Sequence, residues 1–277
     1  MSKRQVYYSN FWEEVAEEDN PFATKEAYCH GYNVYGEILQ KATWFEYIYV
    51  MFKGEKPTEQ QAKLFEKLAI ALANPGPREA SVRAAMNGGV SKAAHASSLM
   101  CALAVGAGQY GGSHEVYLVM QMFKECTTDI VAWEKALLKP ADCSFSDIWL
   151  PIEHVPGFDP NGVSTPSVLL AILDEMVSCS SKDSSLYWLK ENRASLEKIA
   201  SYPMSISLIA CAAFYDLGFD EHQASMLYLI LRLPGAAVHA LEQRDLGWKK
   251  FPFFADAIQL SNDPGDKGLP VLEGLNL

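Results

Sequence analysis

Apolar residues recur every three to four positions through most of this chain, and short blocks of proline, glycine or capping residues separate the runs. Leu64, Phe65, Leu68 and Leu72 share one helical face, with Lys63, Glu66 and Lys67 elsewhere on the wheel. Thr58 and Gln61 stand three apart at the head of that run, the spacing of a capping box, and Asn74-Pro-Gly-Pro77 stops it. From Ser91 to Ala107 the residues are mostly small, which predicts a helix that lets neighbours approach closely and suits a central position or a subunit contact. Gly106 to Gly112 breaks that run, and helical character resumes from Glu115 to Lys124. Thr165-Pro166 reads as an N-cap followed by proline at the first helical position, ahead of Val168, Leu169, Ile172, Leu173 and Met176. A further helix is expected from Ser207 to Leu217, ending at Gly218. Asp220 caps another, expected to run to Leu233 and to stop at Pro234-Gly235. Strict alternation over five or more residues is rare, so the pattern predicts an all-α protein with at most a short hairpin. Leu138 to Pro160, rich in proline and aspartate, reads as a loop or a hinge between two helical subdomains.

The 277 residues suffice for one large helical domain, with or without a small appendage, and the 49% apolar content calls for a substantial core. No stretch of 18 uncharged apolar residues occurs, so no membrane span is expected. The N-terminus places Glu13, Glu14, Glu17, Glu18 and Asp19 where a secretory signal needs an apolar stretch, so no signal peptide is expected. Six scattered cysteines without a CxxC pair, Cys101 and Cys211 in the most apolar surroundings, point to buried free thiols in a reducing cytoplasm. A net charge of −11 repels nucleic acid and anionic lipid, and any anion site must supply its own local cations. The histidines lack zinc spacing, and there is no glycine-rich phosphate loop.

Two segments carry candidate chemistry. Leu150-Pro-Ile-Glu-His-Val-Pro-Gly-Phe-Asp-Pro160 holds His154 in a turn-rich setting beside Glu153 and Asp159; the alternative is an exposed loop histidine paired with an acid. Ile230-Leu-Arg-Leu-Pro-Gly-Ala-Ala-Val-His239 holds Arg232 in an apolar run, where a cation must be paired or face a site. Tyr110 and His114 flank a Gly-Gly that permits close approach of backbone to a ligand, or simply starts a helix. Arg78 and Arg83 follow the Asn-Pro-Gly-Pro turn, available to an anion or to solvent. His239 and Glu242 share a helical face and can pair with each other.

Cys29-His-Gly-Tyr-Asn-Val-Tyr-Gly-Glu-Ile-Leu39 and the run from Thr43 to Gln61, with Gly54, Glu55, Pro57, Thr58 and Gln61 in register, resemble the opening of a citrate synthase large domain. The resemblance continues through residues 74–81, 109–115, 150–160 and 230–239 to residues 248–253, and so covers roughly residues 28 to 257. It is nearest to short citryl-CoA lyases and to the citryl-CoA lyase module of ATP-citrate lyase. It implies an all-α fold with a large and a small helical subdomain, the small one within about 150–235, between an N-terminal extension (1–27) and a C-terminal tail (258–277). It also implies a cytoplasmic homodimer, or a hetero-oligomer with a related subunit. No cofactor is implied beyond a coenzyme A thioester as substrate, which meets a carboxylic acid in the cleft while a carbon–carbon bond is made or broken.

By the same resemblance His154 is the histidine that polarises the ketone or alkoxide oxygen, and Arg232 binds a carboxylate; Arg78, by its charge in an acidic chain and not by the resemblance, is a candidate to bind a carboxylate or CoA phosphates. Tyr110 or His114 faces the thioester. Three positions depart from the family pattern. Asn161 stands where an arginine follows Asp-Pro, Pro75 stands where a substrate histidine is expected, and no acid lies between Glu197 and Asp216, where the catalytic aspartate belongs. Ser205 or Ser207 occupies that last region, and a hydroxyl is no base at neutral pH without help. Two functions follow as expectations: a citryl-CoA lyase or citrate synthase-like enzyme, or a degenerate member of the fold acting as a partner subunit or a CoA- or carboxylate-binding sensor.

Overall fold

The computed structural model describes residues 7–138 and 154–251. Cys143, Glu153, most of the loop or hinge read between Leu138 and Pro160, the end of the 248–253 match and the C-terminal tail lie outside the described residues. A three-stranded antiparallel sheet comes first: β1 (Trp12–Ala16), β2 (Thr24–Cys29) and β3 (Tyr32–Asn33), in that order. It exceeds the single hairpin expected, because β3 is too short to show alternation in the sequence. His30 and Gly31 join β2 to β3 with φ of 47° and 83°, the left-handed pair that a two-residue hairpin turn requires.

Helices follow: α1 (Leu39–Lys41), α2 (Trp44–Lys53), α3 (Glu59–Leu72), α4 (Ala80–Val90), α5 (His95–Gly106), α6 (Ser113–Cys126) and α7 (Ile130–Leu137), then α8 (Ser167–Ser178), α9 (Ser185–Ala200), α10 (Ile206–Asp216) and α11 (Glu221–Leu246). Local chemistry sets many of their ends. Thr43 with Glu46, Thr58 with Gln61 and Asp220 with Gln223 each close a reciprocal capping box. α10 is apolar on every side and buried from Ser207 to Phe214, so it forms the centre of the core, packed by α6, α9, α3 and α8. α11 lies against α4, α5 and α6, and Val82, Ala85, Met86, Ala102, Ala236 and Ala240 form a second, small-residue core there.

Four expectations need correction. The small-residue run does not form one helix from Ser91: α4 ends at Val90, a turn follows, and α5 begins at His95. Pro234 lies inside α11 rather than ending it. The proline lacks an N–H, and the next one, on Gly235, donates to the Ala73 carbonyl at 2.8 Å, so a tertiary bond satisfies the donor that the ring's neighbourhood frees. Thr165 does not cap α8; its hydroxyl bonds Glu197 and accepts from the Met204 N–H at 3.2 Å, and Pro166 takes the cap position. Cys101 is exposed on α5, whereas Cys29, Cys126, Cys179 and Cys211 are buried free thiols. Among the described residues one helix, Glu221–Leu246, is long and apolar enough to cross a membrane by length and composition; one side of it packs against α4, α5 and α6, while Met226, Val238 and Leu241 are exposed.

Candidate active site

Glu115 organises the site. It occupies the first turn of α6 on the same face as Val116, Val119 and Phe123, and only 1% of its surface is exposed. A buried carboxylate is costly unless every lone pair finds a donor, and here the donors come from three separate segments. Oε2 accepts from the Gly111 N–H at 2.6 Å. Oε1 accepts from the Gly157 N–H at 2.9 Å and from the Ser207 hydroxyl at 2.5 Å. Ser207 belongs to the first turn of α10, so two helix N-termini face the carboxylate with their positive dipole ends.

His154 lies on the open side of this carboxylate, its Nε2 3.4 Å from Glu115 Oε2, with both side chains buried. A short ladder holds its segment against the start of α10: Phe158 bridges Met204, the Asp159 N–H donates to Pro203 O at 2.9 Å, and the Ser205 N–H donates to Gly157 O at 3.0 Å. Tyr110 meets the His154 ring edge-on, with centroids 5.2 Å apart. Its hydroxyl donates to Asp159 Oδ1 at 3.0 Å and accepts from Asn161 Nδ2 at 2.8 Å. Asn161 therefore ties down Tyr110 from the position where the family pattern has a carboxylate-binding arginine. Burial is the main cause that pushes the Tyr110 phenol above its ordinary range, and the Asn161 amide opposes it.

Arg232 is buried on α11 and already holds protein partners. Its Nη2 is 2.8 Å from Glu79 Oε1, its Nη1 donates to Gly111 O at 2.9 Å, and its guanidinium stacks 4.7 Å over the Tyr228 ring. Tyr228 also donates to Gly111 O, at 3.3 Å, and burial pushes its phenol up to about 12. The Gly111 peptide thus links the two charged groups, its N–H on Glu115 and its carbonyl on Arg232, and its φ of 62° explains why glycine stands there.

The structure brings together His154, Tyr110 and, through Gly111, Arg232. His114 faces another neighbourhood, its ring parallel to Tyr117 at 6.2 Å. Arg78 is exposed beside Glu79 and makes no ion pair among the described residues. His239 pairs with Glu242 at 3.2 Å as its spacing allows, and its other nitrogen meets Asn74 Oδ1 at 3.2 Å, anchoring α11 to the Asn-Pro-Gly-Pro turn. Sequence reasoning gave no role to Glu79, named Ser207 only as an occupant of the missing aspartate's region, and left Glu115 among several acids that it could not place as a replacement base. One signal was present for Glu115: an acid on an otherwise apolar helical face has to be neutralised by a built environment. Among the described residues no cluster of three or more His, Cys, Asp or Glu is placed to hold a metal ion.

The helical architecture is that of the citrate synthase-like folds. Citryl-CoA lyase from Hydrogenobacter thermophilus superposes with a TM-score of 0.68 at 15% identity, covering 96% of this chain and 98% of that one. ATP citrate lyase from Methanothrix soehngenii, solved with citrate and coenzyme A, gives 0.70 at 15% identity, over 94% of this chain and 42% of that longer one. ATP citrate lyase from Methanosaeta concilii, solved with (3S)-citryl-CoA, gives 0.68 at 14% identity, over 94% and 42%. No family model and no curated protein sequence matches the chain. The fold is therefore shown by structure at an identity where sequence carries little of it.

Proposed function

We propose that this protein makes or breaks a carbon–carbon bond in a coenzyme A thioester of a carboxylic acid, with citryl-CoA as the first substrate to test. The observation that carries the reading is the pairing of His154 with the buried, fully bonded Glu115 beside Tyr110. A carboxylate on Nε2 fixes the tautomer that carries its proton there, and leaves Nδ1, which has no hydrogen-bond partner among the described residues, for a substrate oxygen. In cleavage, neutral His154 accepts the proton of a tertiary alcohol at Nδ1. Glu115 stabilises the imidazolium that forms, as an orienting carboxylate does for a catalytic histidine. The carbon–carbon bond then breaks, leaving a ketone and the enolate of the thioester. In synthesis the imidazolium donates to the forming alkoxide. The fold shared with citryl-CoA lyase supports the choice of substrate class.

With Asn161 in the arginine position and Arg232 held by Glu79, the acceptor-side carboxylate receives weaker clamping than a fully bidentate pair of arginines gives. Arg78, exposed at the head of α4, is the remaining candidate for substrate carboxylate or CoA phosphate. We further take the protein to be cytoplasmic and homodimeric, or paired with a related subunit. α5 supports a subunit contact: it contains no Asp, Glu, Lys or Arg, and it exposes Met100 and Val105.

One observation favours a second reading, a non-catalytic partner subunit or ligand sensor. Glu79 occupies the guanidinium that a substrate carboxylate needs, and no acid lies between Glu197 and Asp216. Incubating purified protein with citryl-CoA and following acetyl-CoA release separates the two. Cleavage that falls by about 10²- to 10⁴-fold in His154→Ala establishes the lyase reading. Absence of cleavage by the wild type removes citryl-CoA as the substrate, and coenzyme A binding in calorimetry without hydrogen exchange into acetyl-CoA then favours the sensor reading.

A further inference from the structure

A chain of hydroxyls runs from the half-buried start of α10 to the buried carboxylate. Ser207 donates its only proton to Glu115 Oε1 at 2.5 Å. Its oxygen lies 2.6 Å from Ser205 Oγ. Since the Ser207 proton is committed, Ser205 is the donor of that second bond, and its own lone pairs remain for a further partner. Ser205 holds the N-cap position of α10, yet its side chain does not cap the helix. It gives up the usual bond to an N2 or N3 amide in favour of the bond to Ser207. Gly157 O receives the Ser205 N–H, so the residue that opens the chain is braced on the segment that carries His154.

We infer that Ser205 and Ser207 form a proton relay by which Glu115 acts on the α-carbon of the acyl group. The inference rests on the proposed carbon–carbon bond chemistry. It supplies the base that the segment between Glu197 and Asp216 lacks. As the enolate forms, the α-carbon–hydrogen bond breaks and its electron pair enters the enolate. The proton goes to Ser205 Oγ, the Ser205 hydroxyl proton to Ser207 Oγ, and the Ser207 hydroxyl proton to Glu115 Oε1. Both hydroxyls are regenerated and Glu115 becomes the carboxylic acid. Ser205 is the catalytic residue, while Ser207 and Glu115 act through it. The chain is short, nearly dry at Ser207, which is 1% exposed, and anchored at both ends, so the protons need no reorganisation of solvent.

Hydrogen exchange tests the relay apart from cleavage. Acetyl-CoA is incubated in D2O with each protein, with malate filling the acceptor side, and deuterium entering the acetyl methyl group is followed by mass spectrometry. Citryl-CoA cleavage is measured in parallel. The relay requires exchange by the wild type, a fall of about 10²-fold or more in Ser205→Ala and in Ser207→Ala, and retention within about tenfold in Ser205→Thr, which keeps a hydroxyl. Ser205→Ala alone decides if Ser207→Ala does not fold. Exchange in the alanine variants within about threefold of wild type overturns the relay, as does absence of exchange by the wild type. Cleavage without exchange leaves the proposed function standing and the relay overturned. Exchange lost on removing the hydroxyls, without cleavage of citryl-CoA, keeps the relay and removes citryl-CoA as substrate.

Discussion

Glu115→Gln changes one oxygen to an amide nitrogen without changing shape, and the contacts of the carboxylate let its cost be worked out. If the amide nitrogen takes the Oε1 place, it faces two donors, the Gly157 N–H and the Ser207 hydroxyl. If it takes the Oε2 place, it faces the Gly111 N–H and His154, and the imidazole can present its unprotonated nitrogen. The second arrangement is cheaper, because it orphans only Gly111. A buried unsatisfied donor costs about 1–3 kcal/mol, and exchanging a charged acceptor for a neutral one on the remaining bonds costs about 1 kcal/mol each. Removing the charge recovers part of its desolvation cost. The net expectation is a loss of about 2–4 kcal/mol, a large share of the roughly 5–15 kcal/mol that holds a domain together. Urea denaturation followed by far-ultraviolet circular dichroism measures it, and a double-mutant cycle with Ser207→Ala isolates the shared bond. A Glu115→Gln variant within about 0.5 kcal/mol of wild type would refute the argument, since that is the spread of surface substitutions and would mean the carboxylate does not hold the three segments.

Gly89→Ala is expected to destabilise by about 1–3 kcal/mol net of its helix-propensity gain of about 1 kcal/mol, because a Cβ there would stand 2.1 Å from the Ala240 carbonyl oxygen and α4 would have to shift off α11; the urea midpoint reports it. Arg232→Met strands Glu79 and should destabilise more than the Arg232→Met/Glu79→Gln pair does, by about 1 kcal/mol or more given that Glu79 is partly exposed. Equal stabilities would show that the ion pair carries no coupling. Alkaline stability should depend on Tyr228. Its phenol ionises near 10 in the unfolded chain and near about 12 in the native one, so the contribution is intact below pH 10 and is lost as pH rises through about 12. That loss is on the order of 2–3 kcal/mol, and Tyr228→Phe should flatten the decline; an unchanged slope would contradict the buried, neutral state.

Much of the fold is legible along the chain because its determinants are local. The Thr58–Gln61 box, the Asp220 cap, the stop at Asn74-Pro-Gly-Pro77 and the 3.6-residue apolar stripes act within a few residues of themselves, and each reads the same in sequence and structure. The family pattern added the architecture and singled out His154, Tyr110 and Arg232, which the fold places around Gly111 and Glu115. The failures are the places where a distant segment decides a local question. Pro234 would end an isolated helix, but Ala73 supplies an acceptor for the next N–H, and α11 continues. Thr165 has the residue type of a cap, but Glu197 takes its hydroxyl. Nothing near Ser207 in the chain shows that its hydroxyl is given to Glu115, 92 positions away. Periodicity and caps come from backbone geometry, which the sequence alone determines. The partner of a buried charge is whichever group the packed core leaves within 3 Å, and only the tertiary structure decides that.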